Sequence, residues 1–144
     1  AKYAGQLTFG AEYDFFERED GYTALCTAYG MTFKKTVDLD IGLKYEAMSQ
    51  GKIDAMIVFT TDGKLNTANV VVLKDDRHFF ASYQAGNVVR SEVLQKHPEL
   101  KDLLDSLTNT ITNEDMARMN YEVETNGREP KDVAHEYLVS KGLV

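Results

Sequence analysis

The chain has 144 residues, 43% of them apolar and 27% charged, enough to bury the core of one ordinary domain and too apolar for a disordered segment. A formal net charge of -7, with lysine and arginine scattered along the chain, excludes a nucleic-acid partner, which needs a concentrated basic face. An acidic balance suits a cationic ligand and equally suits the ordinary dispersal of a soluble protein.

In chain order, Leu7, Thr8 and Phe9 form a short strand candidate stopped by Gly10. After the charged loop around Arg18, a helix is expected from about Gly21 to Tyr29, stopped by Gly30. Cys26, on that helix, is the only cysteine, so no intrachain disulfide and no thiolate metal cluster can form, and a small buried apolar slot is expected for it. Residues 32 to 37 alternate apolar and polar side chains as a half-buried strand does. Asp40 is the expected N-cap of a helix that carries Ile41, Tyr45 and Met48 on one face and closes at Gly51. Ile53 to Phe59 then reads as a buried strand, its apolar run Ala55-Met56-Ile57-Val58 being of the kind parallel sheets use. Thr60-Thr61-Asp62-Gly63 is a turn, and Val70-Val71-Val72-Leu73 is another strand candidate, ended by Asp75 and Asp76. This alternation implies an α/β layer.

From Ser91 onward the pattern is helical: Val93 and Leu94; Leu100, Leu103, Leu104 and Leu107; Met116, Met119 and Val123; then Val133, Ala134, Tyr137 and Leu138. Pro130 falls in the first turn of the last helix, where a missing N–H is harmless, and Gly142 lies near its end. A chain of amphipathic helices with little sheet has apolar faces that need covering. No apolar run approaches the roughly 20 residues a membrane-crossing helix needs. No signal segment opens the chain at Ala1. The chain as it stands is therefore expected to be soluble, with any export signal or anchor outside it.

Five segments carry a resemblance: Phe15-Phe16-Glu17-Arg18-Glu19-Asp20-Gly21-Tyr22, Asp40-Ile41-Gly42-Leu43-Lys44-Tyr45-Glu46-Ala47, Thr60-Thr61-Asp62-Gly63-Lys64-Leu65, Leu73-Lys74-Asp75-Asp76-Arg77-His78-Phe79-Phe80 and Met119-Asn120-Tyr121-Glu122-Val123. In order and spacing they resemble the choline, glycine-betaine and carnitine receptors of ABC importers, which have the type II periplasmic-binding-protein fold. The resemblance implies an α/β, two-lobed receptor whose chain starts in lobe one, crosses to lobe two and returns. On that map residues 1–74 are lobe two, 75–90 the return crossing and hinge region, and 91–144 the C-terminal helical part of lobe one, whose N-terminal part is absent. It implies an extracytoplasmic receptor at the outer face of the membrane, lipoprotein-anchored, periplasmic or fused to its permease. Its partners are a quaternary-ammonium ligand and an ABC permease, and no cofactor is implied.

In such receptors a trimethylammonium head sits among aromatic rings, whose negative π faces attract a cation that offers no hydrogen-bond donor. By position, the rings that fall in this chain are Phe59, at the tip of the central strand of lobe two, and Tyr83, in the returning segment. Without the resemblance either ring would be read as core or strand filler. Arg18 corresponds to an arginine that holds the carboxylate of betaines, for which a planar, permanently charged fork is suited. The alternative for Arg18 is a surface ion pair with Glu17, Glu19 or Asp20. Thr60, Thr61 and Asp62 lie at the carboxyl end of the strand bearing Phe59, where α/β sheets place ligands, although turn chemistry alone accounts for them. Tyr22, beside Arg18, is a candidate cleft residue with packing as its alternative.

Several positions depart from the family pattern. Ala81 and Ser82 stand where relatives often have two prolines, Gln84-Ala85-Gly86-Asn87 replaces an Ala-Ala-Pro run, and Phe59 replaces a more frequent tyrosine. A less rigid, more polar loop is expected. Such a loop suits a bulkier betaine such as ergothioneine, and Arg18 favours a carboxylated zwitterion over choline.

Catalysis finds no support. There is no Gly-x-Ser-x-Gly elbow and no P-loop, and His78, His97 and His135 lack metal-ligand spacing. Glu17, Glu19 and Asp20 form a charged loop that nothing pairs across a cleft as acid and base. The remaining alternative is an isolated lobe acting as a protein-interaction module through exposed apolar helices.

Overall fold

β1 (Thr8–Ala11) is the middle strand of a three-stranded parallel sheet in a computed structural model that describes residues 1–81 and 84–144. β2 (Lys35–Asp38) and β3 (Ala55–Met56) flank it, with Phe9 opposite Thr36 on one side and Ala55 on the other. Parallel neighbours require crossovers, and helices supply them. α1 (Tyr13–Glu17) and α2 (Tyr22–Tyr29) connect β1 to β2, and α3 (Lys44–Ser49) connects β2 to β3.

Phe9 and Ala11 are buried in β1, and with Phe15 and Leu25 they form the core of this layer. Phe16, Tyr22, Phe33, Ile57 and Phe79 pack around them. The Phe9 ring centre lies 4.8 Å from that of Phe33 and 5.4 Å from that of Tyr22, within the range of favourable aromatic pairing.

Gly10 does not stop the first strand. It lies inside β1, where a Cβ would come within 2.8 Å of Ile53 Cδ1, so the position admits no side chain without repacking. The second strand starts later than the alternating run, at Lys35. The third contains only Ala55 and Met56 of the expected seven residues. Its start is set by Asp54, whose amide donates to the Thr8 carbonyl at 2.9 Å while its carboxylate accepts from the Thr8 amide at 2.8 Å.

Asp40 caps a turn rather than a helix. Its carboxylate accepts from the Gly42 amide at 3.0 Å, and α3 begins only at Lys44, which leaves Ile41 exposed before the helix instead of on its face. Val70 to Leu73 forms no strand. Val71 and Leu73 are 85% and 86% exposed, and no described strand pairs with them. An apolar β-branched run becomes a strand only when an edge is available to pair with. Cys26 is half-buried rather than enclosed, beside the Tyr22 hydroxyl.

The chain divides into two compact units, Ala1–Phe59 with Thr67–Ser82, and Thr60–Asn66 with Tyr83–Val144. The first contains the sheet. The second is helical: α4 (Ser91–Lys96), α5 (Glu99–Asp105), α6 (Asn113–Glu124) and α7 (Pro130–Ser140), with a 3-10 turn at Gly63–Asn66. α6 starts with a capping box in which the Thr112 hydroxyl accepts from the Asp115 amide. α7 starts at Pro130 and packs against α6 through buried Val133 and Tyr137. The Tyr137 hydroxyl donates to the Thr110 carbonyl at 2.7 Å and meets the Asp115 carboxylate at 3.0 Å. No residue of α4 or α5 is buried.

Candidate functional site

The carboxyl ends of the parallel strands in the first unit bring together side chains that are far apart in sequence. Open α/β sheets bind ligands at this edge, because the helix connections leave a crevice there. Glu12 follows β1, Asp38 ends β2, and an open recess of about 580 Å³ is lined by Glu12, Tyr13, Asp14, Asp38, Leu39, Asp40 and Ile41.

Phe59 lies three residues beyond β3 and remains 40% exposed. The Lys44 ammonium stands over its ring, 5.4 Å from the centroid, within the range of cation–π attraction. Lys44 itself is 1% exposed, the only buried charged side chain among the described residues. Its Nζ donates to Glu12 Oε1 at 3.0 Å, and the Glu12 side chain is 17% exposed. An ammonium can be held in such a place only if a counter-charge compensates its lost hydration, and Glu12 supplies it.

Arg18, just past α1, meets Asp20 with both arms of its fork: Nε to Oδ1 at 2.8 Å and one Nη to Oδ2 at 2.7 Å. The side chains are 38% and 71% exposed. The hydrogen bond from Arg18 holds the Asp20 carboxyl below its ordinary range, with direct charge attraction adding to it. The Arg18 fork is therefore oriented to grip a planar carboxylate, and the one it grips here is its own neighbour's.

Tyr22 belongs to the aromatic cluster. Its ring centre is 5.2 Å from that of Phe16 and 6.2 Å from that of Phe33, and burial, aided by hydrogen bonding with Cys26, pushes its hydroxyl up to about 12.

Thr60, Thr61 and Asp62 fall in the second unit. The Asn120 side-chain amide, on α6, donates to the Thr61 carbonyl at 2.8 Å, and the Leu65 amide donates to the Asp62 carbonyl at 3.1 Å. Gly63 seats the turn against α6, since a Cβ there would lie 2.6 Å from the Tyr121 amide nitrogen. Tyr83 lies outside the described residues.

A third group ties down the segment after Leu73 in the first unit. Asp75 accepts from the Tyr29 hydroxyl and from the amides of Phe79 at 3.0 Å and Phe80 at 2.9 Å, and these bonds, the Tyr29 one foremost, lower its carboxyl. The Arg77 guanidinium lies 5.4 Å over the Tyr29 ring and donates to the Ala28 carbonyl.

The residues that sequence reasoning missed are Lys44, Glu12 and Asn120. Lys44 and Asn120 lie in segments that carry the resemblance, but nothing in their spacing shows that Lys44 meets a carboxylate 32 positions earlier or that Asn120 meets a carbonyl 59 positions earlier. Among the described residues no group of three or more His, Cys, Asp or Glu side chains is placed to hold a metal ion, and no helix is long and apolar enough to cross a membrane.

Residues 1–140 match the family described as the substrate binding domain of ABC-type glycine betaine transport system. The ergothioneine transport permease/ergothioneine binding protein of Helicobacter pylori strain G27 is 43% identical over 99% of this chain and 26% of its own length. The carnitine transport binding protein of Listeria monocytogenes serotype 1/2a is 41% identical over 95% of this chain and 45% of its own length. A crystal structure described as a glycine betaine/carnitine/choline ABC transporter superposes with a TM-score of 0.80 at 37% identity, over 99% of this chain and 53% of that one. The chain thus spans about half or less of each of these proteins. These matches are to transport proteins, and they lend no support to a separate interaction module. The parallel sheet with its crossover helices and the match along nearly the whole chain together place this protein in the family of substrate binding domains of ABC-type glycine betaine transport systems, a family of binding proteins and not of enzymes.

Proposed function

We propose that the chain forms part of an extracytoplasmic receptor that captures a carboxylated quaternary-ammonium compound for an ABC permease, by reversible binding without chemistry. The observation that carries this reading is Phe59: an aromatic ring at the carboxyl edge of a parallel sheet, partly exposed, and already engaged by a cation. The names of the relatives support the ligand class, since ergothioneine, carnitine and glycine betaine all join a trimethylammonium to a carboxylate.

On this reading Phe59 and Tyr83 take the cation, Arg18 takes the carboxylate, and Thr60, Thr61 and Asp62 add polar contacts from the turn held by Asn120. Tyr22 packs with Phe9, Phe16 and Phe33 and is kept as a candidate cleft residue beside Arg18. The lobe boundaries at residues 74 and 90 remain part of the proposal. A ligand stabilises a closed receptor only through contacts that the open form lacks.

The test is calorimetric titration of the full-length receptor with ergothioneine, carnitine, glycine betaine and choline. Binding of a carboxylated member, weakened about tenfold or more by Phe59→Ala or Tyr83→Ala, is expected for lost cage rings. If none of the four binds, the proposed function is wrong. If Phe59→Ala and Tyr83→Ala both bind as the parent does, the cage assignment is wrong.

A further inference from the structure

Met119 to Val123, on α6, is one of the five segments that carry the resemblance, yet none of its residues is assigned to ligand contact. It holds the turn whose residues are. Within the second unit, the Asn120 side-chain amide donates to the Thr61 carbonyl at 2.8 Å. Two residues on, buried Gly63 lies against the same stretch of backbone, where a Cβ would stand 2.6 Å from the Tyr121 nitrogen and 2.7 Å from the Asn120 carbonyl carbon. Gly63 is not one of the glycines with a positive φ, so close approach to α6, and not conformational freedom, requires a glycine there. Turn chemistry alone therefore does not account for Thr60 to Gly63.

The two contacts do different things. Close packing brings the turn against the helix but is indifferent to small rotations, because contact between surfaces has little directional preference. A hydrogen bond is directional, and one made to a main-chain carbonyl fixes the peptide plane that carries it. The plane that Asn120 fixes joins Thr61 to Asp62, so it sets the course of the backbone that carries the hydroxyls of Thr60 and Thr61. α6 is a firm base for that bond: a capping box closes its first turn, the Tyr137 hydroxyl meets Asp115, and Ala117, three residues before Asn120, is buried.

We infer that Asn120 is a positioning residue of the receptor: through the Thr61 carbonyl it holds Thr60 and Thr61 in the orientation from which their hydroxyls meet ligand. This inference rests on the proposed receptor function and adds to it a residue that does not itself touch ligand. Without the bond the turn populates other orientations, and the apparent Kd rises as the binding-competent fraction falls.

A double-mutant cycle on ligand binding in the full-length receptor tests it. Ergothioneine, carnitine, glycine betaine and choline are titrated calorimetrically into the parent, Asn120→Ala, the hydroxyl-free variant Thr60→Val with Thr61→Val, and the combination of all three substitutions. For each compound that binds the parent, Asn120→Ala should raise Kd about fivefold, the scale of one neutral hydrogen bond. In the hydroxyl-free background the same substitution should change Kd by less than about twofold, because the groups it positions are gone. An unchanged Kd in Asn120→Ala, or an equal rise in both backgrounds, overturns the inference and leaves the receptor reading intact. If none of the four compounds binds the parent, the receptor reading falls and this inference with it.

Should Asn120→Ala fail to fold, the parent decides by NMR. Coupling between sites is reciprocal, so a bond that favours binding must itself be favoured by binding. Exchange of the Asn120 side-chain amide protons with water should therefore slow on saturation with whichever of the four compounds binds most tightly. Unchanged or faster exchange overturns the inference.

Discussion

The sheet edge and the loop after α1 each hold a cation against a carboxylate, and they differ in what surrounds the pair. Lys44 and Glu12 meet through one bond at 3.0 Å in a place where water is nearly excluded. Arg18 and Asp20 meet through two shorter bonds in a place where water competes for every donor. By bond geometry Arg18–Asp20 is the better pair, yet burial reverses the ranking. An exposed pair gains little over its hydrated partners, whereas a buried charge deprived of its partner has nowhere to place its field. The contrast separates a charge fixed inside the protein from one that faces solvent.

The largest effect on stability is expected at the buried pair. Lys44→Met keeps the length of the side chain but strands the Glu12 carboxylate, at a cost of about 3–5 kcal/mol. The double variant Glu12→Gln with Lys44→Met removes both charges and should recover most of that loss, since a buried pair replaced as a whole is often close to neutral. Urea unfolding of the three proteins measures this directly. Equal loss in the single and double variants would mean that shape, not charge, matters at this site.

A half-buried carboxylate should give a smaller effect, and one that depends on pH. The Asp115 carboxyl is pulled down to about 2, chiefly by the Tyr137 hydroxyl and further by Arg118 and Thr112, from an ordinary value of 3.8. A lowered folded-state value means that the unfolded chain takes up the proton first. The contribution is therefore complete above about pH 4 and disappears as pH falls from about 3.8 through about 2. Denaturant midpoints measured across that window should fall for the parent, and Asp115→Asn should flatten that part of the decline. A decline of equal steepness in the variant would assign the acid sensitivity to other carboxylates.

What could be read from the sequence follows the range over which each feature is determined. α2 and its stop at Gly30, α7 with Pro130 in its first turn, and the parallel α/β order all depend on neighbouring residues, and the local pattern found them. Val70 to Leu73 was misread because an apolar β-branched run has the same composition whether or not an edge is there to pair with it. Asp40 was misplaced because Asp caps a Gly-containing turn as readily as a helix. At the candidate site, Phe59 is singled out only by the resemblance, since an aromatic after an apolar run otherwise reads as filler, and it stands three residues beyond β3. The ammonium neighbour of Phe59 could not be read, because Lys44 reaches it only through the folding of a strand–helix–strand unit. The turn at Thr60–Gly63 was legible from Asp-Gly, but its attachment to α6 depends on Asn120, 59 positions from Thr61.

The smallest effect on stability is expected at Arg18, and it separates the exposed pair from the buried one most sharply. With its side chain 38% exposed and its partner more so, Arg18→Ala should leave the urea midpoint unchanged within error, because water replaces Asp20 at little cost. Binding should respond quite differently. A carboxylate taken up by the fork loses charge-assisted hydrogen bonds when the guanidinium is removed, so glycine betaine and carnitine should weaken by about tenfold to a hundredfold. Choline, which has no carboxylate, should bind as before. Asp20→Asn extends the test, because it leaves Arg18 in place and removes the internal competitor: carboxylated ligands should then bind more tightly and choline should not change. If Arg18→Ala weakens choline and glycine betaine alike, the arginine shapes the loop without meeting the carboxylate.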